Sequence, residues 1–449
     1  MIKVVSKVIS IFDVQDNSLK FLFQNLLTLG FMLFILPYSC FSQEKTEYIP
    51  DGTQGEMLEV LDSVKVPARW RDKRWRLFNG KITTIKLGGG FLYEFAGYSQ
   101  NEAGKIQMDS IGSVLEPAFA VRDFRLVASG QLKTKRIISW KLGMMYDGPS
   151  GSWFMRESGI MIGVPELWGN IFVGRTKEGF SLNKVMNGYS GWTMERQMAI
   201  DVIPILADGV KWLGYLPNKR ILWNFGVYTD WLSEGQSFST YKWQTAFRIG
   251  WLPVYSPEKK TVLHVGINYR YGEPVNGEIR VRSRPEANPA PRFIDTEVFQ
   301  TDHSSHIGGE AYYNSGPWMF GSEVYWHQFK SATTDDPLFF GGDVVASYMI
   351  TGESRLYNTA TGIFGFVPVK KSVFKGGSGA WEVLFRASTL DLDGGTIKGG
   401  KFWRITPMVN WYLSKEVRFE LAYGFGVLDR FNLKGATQFF QFRIQLSLS

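Results

Sequence analysis

The alternation of apolar and polar residues with a period of two is the feature that most constrains this chain. It recurs in segment after segment from about residue 81 to the C-terminus. In the last segment, the residues of the apolar face are Phe440, Phe442, Ile444, Leu446 and Leu448. The residues between them are Gln441, Arg443, Gln445 and Ser447. Successive side chains of a β-strand point to opposite faces, so each segment predicts a strand with one apolar and one polar face.

The length of these segments and the position of their aromatic residues indicate a membrane protein. About ten residues of clean alternation is the length that a tilted strand needs to cross a bilayer. Trp and Tyr often lie near the ends of the apolar faces, as an interfacial girdle requires, and the chain has 16 Trp and 19 Tyr. A soluble β-fold alternates too, but it would need another reason for so many Trp residues.

The number of strands follows from counting the alternating segments. Sixteen or seventeen candidates lie between residues 81 and 449, and the uncertainty comes from residues 194–216 and 278–296, which alternate poorly. Single-chain bacterial barrels have even strand numbers. The sequence therefore predicts an all-β fold, a transmembrane antiparallel β-barrel of about 16 strands.

The N-terminus predicts export. Residues 21–38 form an apolar, uncharged run behind Lys20, and Cys40 and Ser42 stand at the small-residue positions of a cut before Gln43. This pattern is typical of a cleavable signal peptide, here residues 1–42. An uncleaved membrane anchor and a lipoprotein modified at Cys40 are the alternatives. Residues 43–80 are then a short periplasmic segment, residues 81–449 the barrel, and the destination the outer membrane of a Gram-negative cell.

Composition and motifs exclude several classes of function. The single cysteine lies in the predicted leader, which leaves no disulfide and no thiolate metal site in the mature chain. The net charge is +8, but Lys and Arg are spread along the chain, so no nucleic-acid partner is expected. The chain has four His and neither an HExxH nor a Walker motif, and His303 and His306 are expected at a loop edge. We therefore expect no enzymatic activity, no metal and no cofactor.

Cations occur on the polar faces of the predicted strands. They are Arg125, Lys141, Arg248, Arg270, Arg386, Arg404, Arg418 and Arg443. A charge facing lipid near the midplane would cost about 2–4 kcal/mol, so these side chains are predicted to face the lumen and to bind anions there. The same faces carry Asp123, Asp147, Glu310, Glu323, Glu353, Glu382 and Glu420. Pairing between the two sets, which would leave a weakly selective pore, is the alternative.

Several short stretches resemble a known family. Residues 174–183 (GRTKEGFSLN) and the downstream Met194-Glu195-Arg196 are similar to its G-x-x-K-x-P-F-S segment and M-E-R. Residues 376–392 (GGSGAWEVLFRASTLDL) resemble its G-G-x-G-A-W-E … R-x-S-x-L-D-L run, and residues 351–355 its T-G-E-x-R. Asn410-Trp411-Tyr412 and Arg443-Ile444-Gln445 resemble its N-W-Y and terminal R-x-Q. On these stretches, most of residues 80–449 resembles the phosphate-selective porins O and P.

The resemblance implies a sixteen-stranded, trimeric barrel with an arginine-rich path and a long loop folded into the pore after Phe180. Lys177, Lys184 and Arg196 then become candidates for the constriction, with a solvated loop face as the alternative. The predicted function is an outer-membrane porin for passive diffusion of small solutes, with a preference for anions such as phosphate. Its expected partners are outer-membrane lipid, small anions and two further copies in a homotrimer. A plugged structural or adhesive barrel that acts through its extracellular loops is the alternative.

Overall fold

Long antiparallel strands make up the wall of the molecule. The computed structural model describes residues 77–148, 150–231 and 241–448. The predicted signal peptide and most of the predicted periplasmic segment lie outside the described residues. The sixteen wall strands are β1 (Thr84–Gln100), β2 (Ala118–Leu132), β3 (Ile138–Asp147), β4 (Ser158–Val164), β5 (Gly169–Thr176), β6 (Ala207–Leu216), β7 (Ile221–Thr229), β8 (Tyr241–Ser256), β9 (Thr261–Pro274), β10 (His303–Ser315), β11 (Trp318–Lys330), β12 (Leu338–Met349), β13 (Ala380–Gly394), β14 (Ile397–Tyr412), β15 (Val417–Arg430) and β16 (Leu433–Leu448).

The wall closes on itself. Each strand pairs with the next one along the chain, and β1 also pairs antiparallel with β16, where Gly89 lies opposite Leu448 and Gln100 opposite Thr437. Closure leaves no sheet edge with unpaired backbone groups, which lipid would not tolerate. The predicted antiparallel barrel of sixteen strands is therefore confirmed.

The segments that alternate poorly are those where the chain leaves the wall. In residues 194–216 only β6 belongs to the barrel, and the part before it is a loop. Two further strands, Glu278–Ser283 and Ile294–Gln300, pair with each other and with no wall strand. His303 begins a wall strand and His306 is fully buried, so the expectation of a loop edge for His306 is wrong.

The two ends of the barrel differ in the length of their connections. Seven connections lie at the end where β16 finishes, and six of these have only two to five residues. The opposite end carries eight, including residues 177–206 and 275–302. Outer-membrane barrels have short periplasmic turns and longer extracellular loops, so the short-turn end is the periplasmic one. The exception there is the connection of residues 350–379, hereafter the periplasmic loop.

The connections hold the remaining regular structure. The helices are α1 (Glu102–Ser110) and α2 (Leu182–Val185), and the 3-10 turns are Pro165–Leu167, Met198–Val202, Val275–Gly277 and Val373–Lys375. Short strands occur at Leu77–Asn79, Ser152–Met155, Tyr357–Asn358 and Ile363–Phe364. Among the described residues, none of the helices has the length and apolar character that would let it cross a membrane.

The burial pattern is that of a membrane barrel, with apolar side chains outside and polar ones inside. On β16, Phe440 is 49% exposed while Arg443 is 2% exposed. Outward aromatic rings pack in pairs near the periplasmic end, as in Trp381 and Trp411, whose ring centroids are 4.9 Å apart. The charged residues on the polar faces of the predicted strands therefore point into the lumen, and the candidate site lies there.

Candidate functional site

The connection between β5 and β6, residues 177–206, folds into the lumen and is called the constriction loop hereafter. It reaches the far wall, because Arg386 on β13 donates a 2.8 Å hydrogen bond to the main-chain oxygen of Glu195. Asn410 on β14 likewise donates to the main-chain oxygen of Trp192 at 2.8 Å. The loop that the family resemblance implies after Phe180 is thus present, and it crosses the barrel.

Two carboxylates of the wall hold the tip of the constriction loop. Glu323 on β11 accepts hydrogen bonds from the Ser181 hydroxyl at 2.5 Å and from the Asn183 main-chain N–H at 2.8 Å. Glu310 on β10 accepts from the Leu182 main-chain N–H at 2.8 Å. Both carboxyl groups are buried, so these hydrogen bonds act in a low dielectric and hold the tip of the loop.

Two other segments also enter the lumen. From the connection between β9 and β10, Pro285 accepts a 2.5 Å hydrogen bond from Arg404, and Glu286 forms a 2.6 Å ion pair with Arg386. The periplasmic loop enters from the other end, where the main-chain oxygen of Gly362 accepts a 2.7 Å hydrogen bond from Arg248. Three segments therefore share the interior of the barrel.

Most of the predicted wall arginines serve to hold these segments. Arg248, Arg386 and Arg404 bind them as described, Arg270 pairs with Glu178, Arg418 donates to Gly191, and Arg443 donates to Met194 and pairs with Glu195. Each of the six side chains belongs to a residue that is at most 2% exposed. Each of these guanidinium groups binds at least one protein oxygen atom in the β8–β16 part of the wall.

The two remaining wall cations belong to a separate group, which we call the basic cluster. It consists of Arg125, Lys141, Arg156, Lys177, Arg196 and Lys211. At its centre is Glu157, which lies 3.3 Å from the ammonium nitrogen of Lys177 and 3.7 Å from Arg156 Nε. The cluster lies between the constriction loop and the β2–β6 part of the wall.

The basic cluster has more positive than negative charge. Its six cations lie around the carboxylates of Glu157 and of Asp123, which binds Arg125 at 2.7 Å. Arg196 is also near Glu195, whose carboxylate pairs with Arg122 and Arg443. Burial raises the pKa of Glu157, but the surrounding cations, Lys177 first, hold it well below its usual range. Burial, with help from neighbouring cations, lowers the pKa of Arg196 to about 10, which still leaves the guanidinium charged at neutral pH.

The three predicted constriction residues lie in two different places. Lys177 and Arg196 join the basic cluster, where Arg196 also donates to the main-chain oxygen of Asn183 at 2.9 Å. Lys184 instead lies in a fully buried ion pair with Glu178 at 2.6 Å, and burial lowers its pKa to about 8. Lys184 therefore stabilises the loop from within.

Sequence reasoning missed two members of the basic cluster. Arg156 lies in a connection, just after the short strand Ser152–Met155, where strand parity gives no information. Lys211 lies on β6, in a segment whose alternation is hidden by the preceding loop. Its neighbours Val210 and Trp212 point outward, and this local signal could have placed Lys211 on the lumen side. Among the described residues, no group of three or more His, Cys, Asp or Glu is arranged to hold a metal ion.

The comparison with known families decides the class of barrel. The model of the phosphate-selective porin O and P family matches residues 86–445. The chain belongs to this family. The predicted resemblance is thus confirmed, and the porin is a protein of the Gram-negative outer membrane whose family and fold point to a channel rather than an enzyme.

Solved structures support the fold of this porin. The anion-selective porin from Comamonas acidovorans is similar with a TM-score of 0.52 and 12% identity, over 81% of this chain and 99% of that chain. The outer-membrane channel DcaP of Acinetobacter baumannii gives a TM-score of 0.51 and 9% identity, over 82% and 99%. An uncharacterized protein of Caulobacter vibrioides is 32% identical over 176 residues, which are 38% of this porin and 35% of that protein.

The anchoring of the constriction loop leads to a testable prediction. Glu323→Ala removes the acceptor of the Ser181 hydroxyl and the Asn183 N–H, and leaving such groups unpaired costs about 1–3 kcal/mol each. We expect faster amide hydrogen exchange in residues 181–187 of this porin, measured by mass spectrometry in detergent micelles. Glu323→Gln is the control, because its side-chain oxygen keeps one acceptor and should restore much of the protection. Equal exchange in the wild type and in Glu323→Ala would show that the loop does not depend on this carboxylate.

Proposed function

We propose that this porin lets small anions diffuse passively across the outer membrane through a passage lined by the basic cluster. The observation that carries the proposal is the excess of positive charge around Glu157, where six Lys and Arg gather near the carboxylates of Glu157, Asp123 and Glu195. Fixed positive charge in a narrow, low-dielectric passage raises the local concentration of anions and replaces part of their hydration shell. The predicted wall residues Arg125 and Lys141 would act there together with Arg156 and Lys211.

Phosphate is the anion that we propose as the preferred solute. Arg125, Arg156 and Arg196 carry planar guanidinium groups of the shape that matches phosphate oxygens, and the three lysines add compact charges from other sides. A bound phosphate would exchange for some of their protein contacts, such as those of Arg196 to the main-chain oxygens of Asn183 and Met186. The family carries phosphate selectivity in its description, and the similar Comamonas structure is described as anion-selective. Both descriptions agree with the chemistry of the cluster.

The proposed position of the passage is supported by what fills the rest of the lumen. An apolar group lies on the other side, where Trp192 of the constriction loop packs against Phe364 of the periplasmic loop with ring centroids 6.0 Å apart. Its other buried members include Leu182, Met186, Tyr312, Ile363, Leu384 and Met408. Anions would avoid such a surface, which favours diffusion along the basic cluster instead.

A plugged barrel with a structural or adhesive role is the second candidate. It is supported by the buried contacts of the six arginines, which bind protein oxygen atoms, and by the apolar group in the lumen. In this case the basic cluster would stabilise the constriction loop without conducting. The two candidates differ in whether the intact barrel passes current.

We also propose that the porin assembles with further copies of itself, as a homotrimer. The wall strands β4 and β5 have 7 and 8 residues, fewer than the roughly 9–11 that a strand needs to span the bilayer. Their outward residues Ile160 and Val173 are 48% and 38% exposed in the single chain. A neighbouring copy would cover the outer face of these two short strands more favourably than lipid.

The anion passage can be tested by removing charge from the basic cluster. At about 4 Å in water a unit charge attracts a monovalent anion by about 1 kcal/mol, so losing two charges should lower the preference for anions roughly thirtyfold. We expect the double variant Lys141→Gln and Lys211→Gln to shift the reversal potential in a chloride gradient toward zero, and to weaken block by phosphate. The double variant Lys398→Gln and Lys401→Gln, outside the lumen, is the matched control. Unchanged selectivity in the first variant would remove the cluster from the conduction path.

The plugged alternative makes the opposite prediction for the intact protein. Residues 357–364 of the periplasmic loop can be replaced by two glycines, because Gly365 donates a 2.9 Å hydrogen bond to the main-chain oxygen of Leu356 and the ends are therefore close. If the porin conducts by the cluster, single-channel recordings should show current before the change and a larger, less selective current after it. Silence before the change and current after it would establish the plugged barrel.

Assembly can be measured separately by native mass spectrometry in detergent. We expect three copies for the unmodified porin, and monomers for Val173→Arg, because a buried unpaired guanidinium would disrupt an apolar interface. Val344→Arg on β12, far from β4 and β5, is the control and should leave the trimer intact. A monomeric wild type would refute the proposed assembly.

A further inference from the structure

The periplasmic end of the barrel carries a strong excess of positive charge. This surface, the periplasmic rim, consists of the seven connections at that end and of residues 77–83, which precede β1. Among its described residues, twelve Lys and Arg are exposed or half-exposed, against three Glu. Arg136 pairs with Glu166 at 2.8 Å and Lys415 lies 3.6 Å from Glu416, and even complete pairing would neutralise only three of the twelve cations.

The opposite end has the reverse balance. Apart from the constriction loop, the described residues of its connections hold five exposed or half-exposed Lys and Arg and ten such Asp and Glu. The positive rim is therefore not a general consequence of the net charge of +8, which would place cations at both ends. It is a property of the periplasmic end.

The rim cations are spread around the circumference of the barrel. Exposed lysines occur between β2 and β3 (Lys133), between β6 and β7 (Lys219), between β8 and β9 (Lys260) and between β12 and β13 (Lys371). The basic cluster in the lumen, by contrast, lies on the β2–β6 side only. Five of the seven connections carry exposed or half-exposed Lys or Arg, and this distribution matches a ligand that surrounds the barrel better than a solute that enters on one side.

Aromatic residues place the rim at the level of the lipid headgroups. Trp381 lies one residue from the start of β13 and Trp411 one residue from the end of β14, and their rings stack at 4.9 Å. Trp212 and Trp223 form a second pair at 5.1 Å near the periplasmic ends of β6 and β7. Since Trp belts mark the headgroup region, the lysines in the turns beyond them lie beside or just outside the phosphate groups.

We propose that the periplasmic rim binds the phosphate groups of anionic phospholipids in the periplasmic leaflet of the outer membrane. Clusters of Lys and Arg next to a membrane-spanning segment are attracted to anionic headgroups, and the flexible lysine stem lets the ammonium reach them. The site is independent of the conduction path, so the proposal stands whether the barrel conducts or is plugged. Its ligand chemistry is a phosphodiester fixed in a lipid surface.

The test uses the tryptophans next to the rim as reporters. The porin is placed in nanodiscs of phosphatidylcholine with a fraction of either brominated phosphatidylglycerol or brominated phosphatidylcholine, and quenching of Trp fluorescence reports which lipid contacts the wall. We expect phosphatidylglycerol to be enriched several-fold at the wall. The variant Lys133→Gln, Lys219→Gln, Lys260→Gln and Lys371→Gln should lose the enrichment. The control Lys105→Gln, Lys398→Gln, Lys401→Gln and Lys434→Gln removes four exposed charges at the other end and should keep it.

A second readout separates lipid from free phosphate. Acetylation of the rim lysines, followed by mass spectrometry, should be slower in phosphatidylglycerol discs than in phosphatidylcholine discs. Protection in phosphatidylcholine discs by inorganic phosphate at matched ionic strength would overturn the proposal in favour of a free-anion site. Absence of phosphatidylglycerol enrichment in the unmodified porin would also overturn the proposal, and so would equal loss of enrichment in both four-residue variants. Either result would favour an acidic soluble partner as the ligand of the rim.

Discussion

A chain that crosses lipid must satisfy every backbone N–H and C=O group within itself, and the pairing of β1 with β16 meets this constraint. Closure also decides where the side chains go, because alternate residues of each strand must then face lipid or lumen. Within the bilayer, charged side chains are stable only on the inward face, and a barrel of sixteen strands brings many of them into one enclosed space. The inserted segments provide hydrogen-bond partners for these enclosed charges, since their carbonyl oxygens and carboxylates bind arginines such as Arg248 and Arg404.

The interior is consequently divided into two chemically different parts. Along β8–β16, arginines, loop oxygens and an apolar group around Trp192 and Phe364 fill the space. Along β2–β6, the basic cluster gathers around Glu157, beside ion pairs such as Arg175 with Asp208. If arginines without loop partners lined the whole wall, every cation would face the solute. Such a channel would differ from this one in how its charges contact the solute. Here six wall arginines hold the inserted segments, and the proposed selectivity rests on the basic cluster along β2–β6.

The wall could be predicted from the sequence because alternation is a local property. Phe442 and Arg443 belong to opposite faces whatever else the chain does, and the strand count followed from such segments. The interior could not be predicted, because it depends on contacts between distant residues, such as Ser181 with Glu323, 142 positions apart. The lumen position of Lys177 came from the family resemblance. Arg156, which lies in a connection, and the inward fold of the periplasmic loop had no periodic signal at all.

The anchoring of the constriction loop also has a consequence for biogenesis. The loop follows β5, yet the carboxylates that hold its tip lie on β10 and β11, which are synthesised more than a hundred residues later. Its hydrogen-bonded position therefore cannot exist while only the first half of the barrel has formed. Contacts between residues so far apart in the chain carry a large loop-closure entropy. The constriction loop is therefore held only once β10 and β11 have joined the wall, and completion of the interior depends on assembly of the second half of the barrel.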